Sequence, residues 1–324
     1  MVNETGWPQA LTEAVAQFHV AHLATLSRAG APVCWPMTPY PSPDGRAIEF
    51  STGVTYPLKA ERARRNPKVG FLIDPADTKG QEGSILLVQG LATVSDADLQ
   101  ANTDRYVSSS LKKTGKAWRG QPAFLVRMQT WYWVRVMVRV TPLRVLSWPS
   151  DGGEPSEWRA PEATLAPPSD PAPKGSLGRW QDELPDWRPR AAQALSRLGL
   201  PVIAMTGSDG FPSLVRALRV HPAADGFELQ LPPIGGILDG PASASFQAVQ
   251  GHGFEGQENA TFAGRLEGTR FIVERALPDF SLPAEGYARY ANFFRFRGHL
   301  QGRVKAECER RGQPVPTIRL PATW

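Results

Sequence analysis

Cysteine is nearly absent. The 324 residues hold two, Cys34 and Cys308, too few and too far apart for a disulfide framework, a CxxC redox pair or a metal-spaced set. Long apolar runs are missing as well: SILLVQGLATV at 84–94 is the longest, and it is too short to span a bilayer as a helix. The opening MVNETGWPQ has no basic region followed by an apolar core, so no secretory leader is expected and the cytoplasm is the default. One-sided charge is lacking too. With 36 basic and 31 acidic residues the net charge is +5, and scattered charge of that size gives no reason to expect nucleic acid. A soluble protein with no membrane or nucleic-acid partner is expected.

What is present is enough hydrophobic sequence, 41%, to build cores, and enough length for two domains. Prolines number 31, and many fall in 149–189, PSDGGEPSEWRAPEATLAPPSDPAPKGSLGRWQDELPDWRP. That segment has no periodic apolar pattern, so it reads as a linker or surface wrap whose Trp158, Trp180 and Trp187 dock on a domain. It divides the chain into a first domain at 1–148, the linker at 149–188, a second domain at 189–277, and a C-terminal helix and tail at 278–324.

The two halves rhyme. In the first, Leu11, Val15, Phe18 and His22 share the face of a predicted helix. LATLS, the turn Arg28-Ala29-Gly30, a strand from Pro32 to about Tyr40, an Asp44-Gly45 hairpin and a strand at 47–52 follow. VGFLID and SILLVQGLATVSD are strands, and DADLQANTDRYVSSSLKK opens with an Asp cap and predicts a helix. FLVRMQTWYWVRVMVRVTPLRVLSW predicts one long strand. Its period of two puts Tyr132, Val134, Val136, Val138 and Val140 on one face, with Trp131, Trp133, Arg135, Met137 and Arg139 on the non-core face.

In the second half a helix at 189–198 precedes VIAMTGSDGFPSLVRAL, which parallels HLATLSRAGAPVCWPM. AADGFELQLP parallels SPDGRAIEFST, ASASFQAVQ supplies a fourth strand, and NATFAGRLEGT echoes SILLVQGLATVSD. The order predicts a tandem duplication. Short strands joined by hairpins predict a mainly β protein with some α, built as two tandem antiparallel β-barrels in one chain. A helix is predicted from about Ala284 towards Arg311.

That order of elements, with LKAERARRNPKVGFLID and the step Val88-Gln89-Gly90-Leu91-Ala92, resembles the pyridoxamine phosphate oxidase-like FMN-binding split-barrel family. The resemblance covers about 11–148 well and 189–277 faintly. It implies a flavin-dependent oxidoreductase passing hydride or electrons to a small organic substrate, with FMN as cofactor, or deazaflavin or haem as alternatives. It also implies a cofactor site between two barrels, as a monomer with an internal pseudo-dimer or as a homodimer. Carried over by position, Trp35, Pro36, Met37 and Thr38 of the second strand lie along the flavin ring, and Ser51, Thr52 and Lys59 hold its phosphate.

Local chemistry points to the same phosphate seat. Thr55 can cap the helix carrying Lys59, Pro57 suits its first turn, and Arg62 adds charge one turn on. Trp133 and Arg135 are candidates to reach across the barrel interface. The sequence departs from the oxidases, which carry Ser-Arg-Lys where Pro57-Leu58-Lys59 stands, so oxidation of pyridoxamine phosphate itself is not expected. In the second half PPIGGILDGPAS has neither Lys or Arg, and one asymmetric site per chain is expected.

Other readings are weighed against these. A solvated helix face is the alternative for Lys59 and Arg62, and Arg64, Arg65 and Lys68 are expected to face water. GHGFEG at 251–256 matches a dinucleotide fingerprint but lacks the following apolar helix, so it reads as a loop. His19 and His22, three apart on the predicted helix, lack the further ligands of a metal site. His299 on the C-terminal helix is the one candidate haem ligand, and Ser208-Asp209 lacks a nucleophile-elbow context. A non-catalytic binding or assembly protein that keeps only the scaffold is the remaining alternative.

Overall fold

The computed structural model describes residues 6–115, 121–149, 154–175, 186–232, 239–248, 258–277 and 287–321, with side chains in the last segment described from 298 onward. The first half runs α1 (Gln9–Gln17), β1 (Ala21–Leu26), β2 (Pro32–Met37), β3 (Tyr40–Pro41), β4 (Ile48–Gly53), α2 (Leu58–Arg65), β5 (Lys68–Ile73) and β6 (Ile85–Ser95). It continues with α3 (Leu99–Thr114), α4 (Ala123–Arg127), α5 (Thr130–Trp133), β7 (Arg135–Trp148) and β8 (Ser156–Arg159). The second half runs α6 (Arg188–Arg197), β9 (Val202–Thr206), β10 (Pro212–Arg216), β11 (Arg219–Ala223), β12 (Gly226–Gln230), β13 (Gly240–Gln247), β14 (Asn259–Glu267), β15 (Arg270–Ala276) and α7 (Tyr287–Arg310).

Two antiparallel, curled half-barrel sheets result, and the protein is mainly β with some α. The first sheet is ordered β2-β1-β5-β6-β7-β4-β3 and the second β10-β9-β13-β14-β15-β12-β11. Replacing each strand of the first by its counterpart in the second reproduces the order without exception. The register repeats as well: His22 lies opposite Pro36 in one, Val202 opposite Arg216 in the other. Gly30 and Gly210, at φ 79° and 77°, make the same turn in a conformation that favours glycine.

A second pair of glycines is repeated for a steric reason. The ladder slips one residue at Gly90 in β6 and at Gly264 in β14. A β-carbon at these positions would lie 2.4 Å from the Thr141 carbonyl oxygen and 2.0 Å from that of Ile272. Only glycine permits each sheet to bend there.

Each sheet closes over its own core. Leu23, Phe50, Phe71, Val88, Val136 and Val138 fill the first; Phe227, Phe246, Phe262 and Phe271 fill the second. The outer faces meet in a third apolar layer, with Ala24, Cys34, Leu72 and Leu87 against Val202, Ala204 and Leu214. Gly70 allows the closest approach, since a β-carbon there would sit 2.3 Å from the Pro212 carbonyl oxygen. Polar bonds fix the register: the Cys34 amide donates to Ser243 Oγ at 3.1 Å and Gln89 Nε2 to the Pro212 carbonyl at 3.2 Å. Beside them Arg216 reaches across to Asp74 and to Asp77, at 2.6 Å for the latter, while His22 Nε2 lies 3.2 Å from Asp77.

Several local expectations are corrected. The first helix stops at Gln17, because Phe18 is already extended (φ −77°, ψ 136°) and Ala21–Leu26 pairs on both sides as β1. His22 is therefore a strand residue and not a helical neighbour of His19. The strand predicted from Pro32 to Tyr40 ends at Met37, with Tyr40 in the separate β3.

The long strand begins only at Arg135. Residues 130–133 form the short helix α5, whose Trp133 is completely buried and donates its indole N–H to the Val126 carbonyl at 3.1 Å. Packing of that one large ring outweighs the alternating pattern. Trp133 and Arg135 thus lie inside the first domain and do not reach across the interface.

The proline-rich segment is docked where it is described. Ser156–Arg159 pairs with β7 beyond the end of β4. Pro167, Ser169 and Asp170 then bond to the end of β6: Thr93 Oγ1 donates to the Pro167 carbonyl at 2.6 Å and the Val94 amide to Ser169 Oγ at 2.9 Å. The Asp170 carboxylate accepts from the amides of Asp96 and Ala97. Trp158 packs on the first core and Trp187 on the second; Trp180 and the GHGFEG stretch lie outside the described residues.

Candidate functional site

The repeats differ where the expected site lies. Between β4 and β5 stands α2, whereas β12 and β13 are joined through residues 231–239. α2 buries Ala60 and Ala63 against the first core, leaving its other faces for polar work.

One face is tied down. Glu61 and Arg64 join Asp96, Glu307, Arg310 and Arg311 in an ion network: Arg64 to Asp96 at 2.9 Å, Arg311 to Asp96 at 3.0 Å, Arg311 to Glu307 at 2.7 Å, and Arg310 to Glu61 at 3.4 Å. Arg64 also donates to the Asp170 carbonyl. Arg64 is only 8% exposed, contrary to the expectation that it faces water. Lys68 is corrected likewise: it donates to the Asp209 carbonyl of the second half at 2.7 Å and lies over Phe211. Arg65 is exposed.

The opposite face carries Lys59 and Arg62. Lys59 Nζ sits 5.0 Å from the centroid of the Trp35 ring and 5.4 Å from that of Tyr56. Arg62 donates from Nε to Thr25 Oγ1 at 2.9 Å. Burial, then the neighbouring Arg65, pushes Arg62 down to about 10, so it stays cationic at neutral pH, and no described carboxylate lies within ion-pair distance of it. The Trp35 indole nitrogen is buried without a hydrogen-bond partner. Lys59, Arg62, Trp35 and Tyr56 thus form a cationic and aromatic shelf at the mouth of the first barrel.

The other expected site residues fall in different places. Thr52 is buried and its hydroxyl is engaged by the Tyr56 carbonyl at 3.1 Å. Ser51, the next residue along the strand, points to the opposite face and is half-buried opposite Met137, so the two hydroxyls cannot hold one phosphate together.

Thr55 does not cap α2. Pro57 occupies the cap position without a side-chain bond, the Thr55 carbonyl accepts from Arg303 Nε at 2.9 Å, and the Thr55 hydroxyl is buried without a partner. Pro36 and Thr38 are half-buried, and Met37 packs on the first core. Both backbone polar groups of Cys34 face second-half hydroxyls, Ser243 at 3.1 Å and Thr261 at 3.5 Å, so they do not face a cofactor.

Sequence reasoning missed Tyr56 and the Arg135 cluster behind it. The signal was the glycine before it: a β-carbon on Gly53 would lie 2.7 Å from the Tyr56 ring. Elsewhere, a cavity of about 420 Å³ between β6 and the docked Pro-rich segment, lined by Arg64, Leu91, Pro167 and Asp170 among others, shares no residue with the shelf. Among the described residues no group of three or more His, Cys, Asp or Glu could hold a metal ion, and no helix is long and apolar enough to cross a membrane.

This donor set fits an aromatic phosphate ester in part. Two cations and an unpaired indole N–H suit a phosphate next to a ring system, while the threonine hydroxyls expected to help are engaged or enclosed.

No family model matches the chain, and no curated protein matches it. Solved structures do. A conserved hypothetical protein from Mycobacterium tuberculosis is 25% identical over 46% of this chain and 89% of its own, with a TM-score of 0.34. A pyridoxamine 5'-phosphate oxidase-related, FMN-binding protein from Nostoc punctiforme is 14% identical over 47% of this chain and 88% of its own, at 0.33. An F420 reductase is 20% identical over 43% and 97%, at 0.31. At such scores these likenesses carry no argument about activity. The resemblance read from the sequence is met by solved structures of the pyridoxamine 5'-phosphate oxidase-like split-barrel kind, here with two half-barrel sheets in one chain.

Proposed function

We propose that the chain binds one FMN on the first barrel and works as a flavin-dependent oxidoreductase. Lys59 and Arg62 hold the phosphate, and the ring lies along Trp35, Pro36 and Thr38 of β2. The observation that carries this reading is Arg62, a half-buried guanidinium with no acid partner among the described residues, one turn from Lys59, which itself lies over Trp35 with its unpaired indole. When bound, the flavin supplies the hydride or electron chemistry. The residues of this chain bind its anionic end, orient its ring and keep water from its inner face.

Titrating the purified protein with FMN, followed by flavin fluorescence, tests the proposal. Saturable binding is expected, and Lys59→Ala should weaken it about tenfold or more, the range for a lost charge-assisted bond. Unchanged affinity in that variant removes Lys59 from the site; no uptake by the wild type favours the scaffold-only reading. A deazaflavin is the second reading, favoured by the engaged Thr52 hydroxyl, which leaves a thin phosphate cradle. Competition between the two cofactors on one sample separates them.

A further inference from the structure

Arg135 opens β7 opposite Gly53 and is 6% exposed. Its guanidinium carbon lies 4.2 Å from the centroid of the Tyr106 ring and 4.7 Å from that of Tyr132. Its NH2 donates to the Tyr106 hydroxyl at 3.1 Å, which in turn donates to the Tyr132 hydroxyl at 3.1 Å. Tyr40 packs edge-on to Tyr106 at 6.1 Å, and Tyr56, flat on the bare Gly53, closes the fourth side. Burial pushes the phenols of Tyr40, Tyr56 and Tyr132 up, with Arg135 pulling the other way, so they stay neutral. The cage therefore holds one positive charge.

No acid answers it. The nearest carboxylate on that face of the sheet, Glu49, is turned to Arg105 at 3.1 Å and Arg139 at 4.0 Å. Lys113, 5.3 Å from the centroid of the Tyr40 ring, supplies no counter-charge and turns its ammonium away to the carbonyls of Val15 and Pro39. Buried charges are ordinarily paired, because an ion removed from water without a counter-ion costs several kcal/mol. Arg135 Nε is a buried donor without a partner, and the Tyr40 hydroxyl makes no hydrogen bond of good geometry, having only loose contacts with Ser110 and Tyr106.

We propose that this cage is a binding site for a small carboxylate, held by Arg135 and the Tyr40 hydroxyl. One guanidinium, with neutral phenols and no second cation donating inward, balances a monoanion and leaves a phosphate dianion in excess. Tyr56 and Tyr132, both half-buried, complete the wall of the cage around the guanidinium. The site uses none of the residues assigned to the FMN phosphate, and it stands whether or not that assignment holds.

The test is a titration of the full chain with sodium acetate at constant ionic strength, read by tryptophan fluorescence, because Trp131 and Trp133 adjoin the cage. Inorganic phosphate and chloride form the comparison arms. A saturable response to acetate, stronger than to either comparison anion, is expected. It should be lost in Arg135→Met and weakened about tenfold in Tyr40→Phe, which removes one hydrogen bond to a charged group. Tyr40→Phe deletes only a hydroxyl and keeps the test open if Arg135→Met fails to fold. Lys59→Ala should leave the acetate response in place, which separates this site from the FMN seat. No saturable response in the wild type, an equal response to chloride, or a Tyr40→Phe titration matching the wild type overturns the proposal.

Discussion

The first and second barrels have the same strand order, the same registers and the same glycine-permitted bend, yet among the described residues the chemistry-bearing connections belong to the first. Between β4 and β5 it has α2 with Lys59 and Arg62, and between β6 and β7 it has α3 to α5 with the tyrosine cage. In the second barrel β14 turns directly into β15 at Gly268. The strands are thus a shared scaffold, and the residues proposed to bind lie in what joins them, as expected where rigid sheets position variable loops.

The comparison breaks most severely at the seam. Arg216 of the second barrel is the cation for Asp74 and Asp77 of the first, so Arg216→Ala leaves two buried carboxylates. A loss of about 3–5 kcal/mol is expected in urea unfolding, and the barrels should then unfold in two steps instead of one. The pH dependence has a definite sign. Burial alone would raise Asp77, but His22 and Arg216 outweigh it and hold the group below its ordinary range. Its contribution is full above the ordinary carboxylate range and lost as pH falls through the lowered value. In Arg216→Ala that loss should begin at a higher pH.

Next in size is the equivalence of the two bends. Gly90→Ala and Gly264→Ala each force a β-carbon onto a carbonyl, and each should cost about 1–3 kcal/mol in thermal unfolding. A large effect at one glycine and none at the other would show that the repeats bend for different reasons.

Smaller still is the effect of Lys113, found only in the first barrel's insertion and pushed down to about 7 by burial. Between pH 7 and the ordinary lysine range the unfolded chain binds the extra proton, so stability should rise with pH. Lys113→Met should flatten that rise, which a series of melting temperatures from pH 6 to 10 would record.

Much of this was legible in the residues. The two-fold order of strands, the Asp98 cap of α3, now bonded to the Ala101 amide at 2.9 Å, and the cationic α2 all follow from local pattern. What escaped depends on partners distant in sequence. Arg64 read as solvated because nothing nearby announces Asp96 or Arg311, and Thr55 read as a cap although Arg303 holds its carbonyl. The alternation through Trp131–Arg139 could not separate four helical residues from a strand, since the deciding contact, Trp133 with the Val126 carbonyl, is a packing event. Ser51-Thr52 misled for a simpler reason: neighbours on a strand face opposite ways.

The asymmetry between the barrels comes down to a stoichiometry. Equilibrium titration of the purified chain with FMN, with the protein at a concentration well above the dissociation constant, should break at one flavin per chain, and the break should vanish in Lys59→Ala/Arg62→Ala. Two flavins per chain, or one that survives the double variant, would contradict the assignment of binding to α2 of the first barrel.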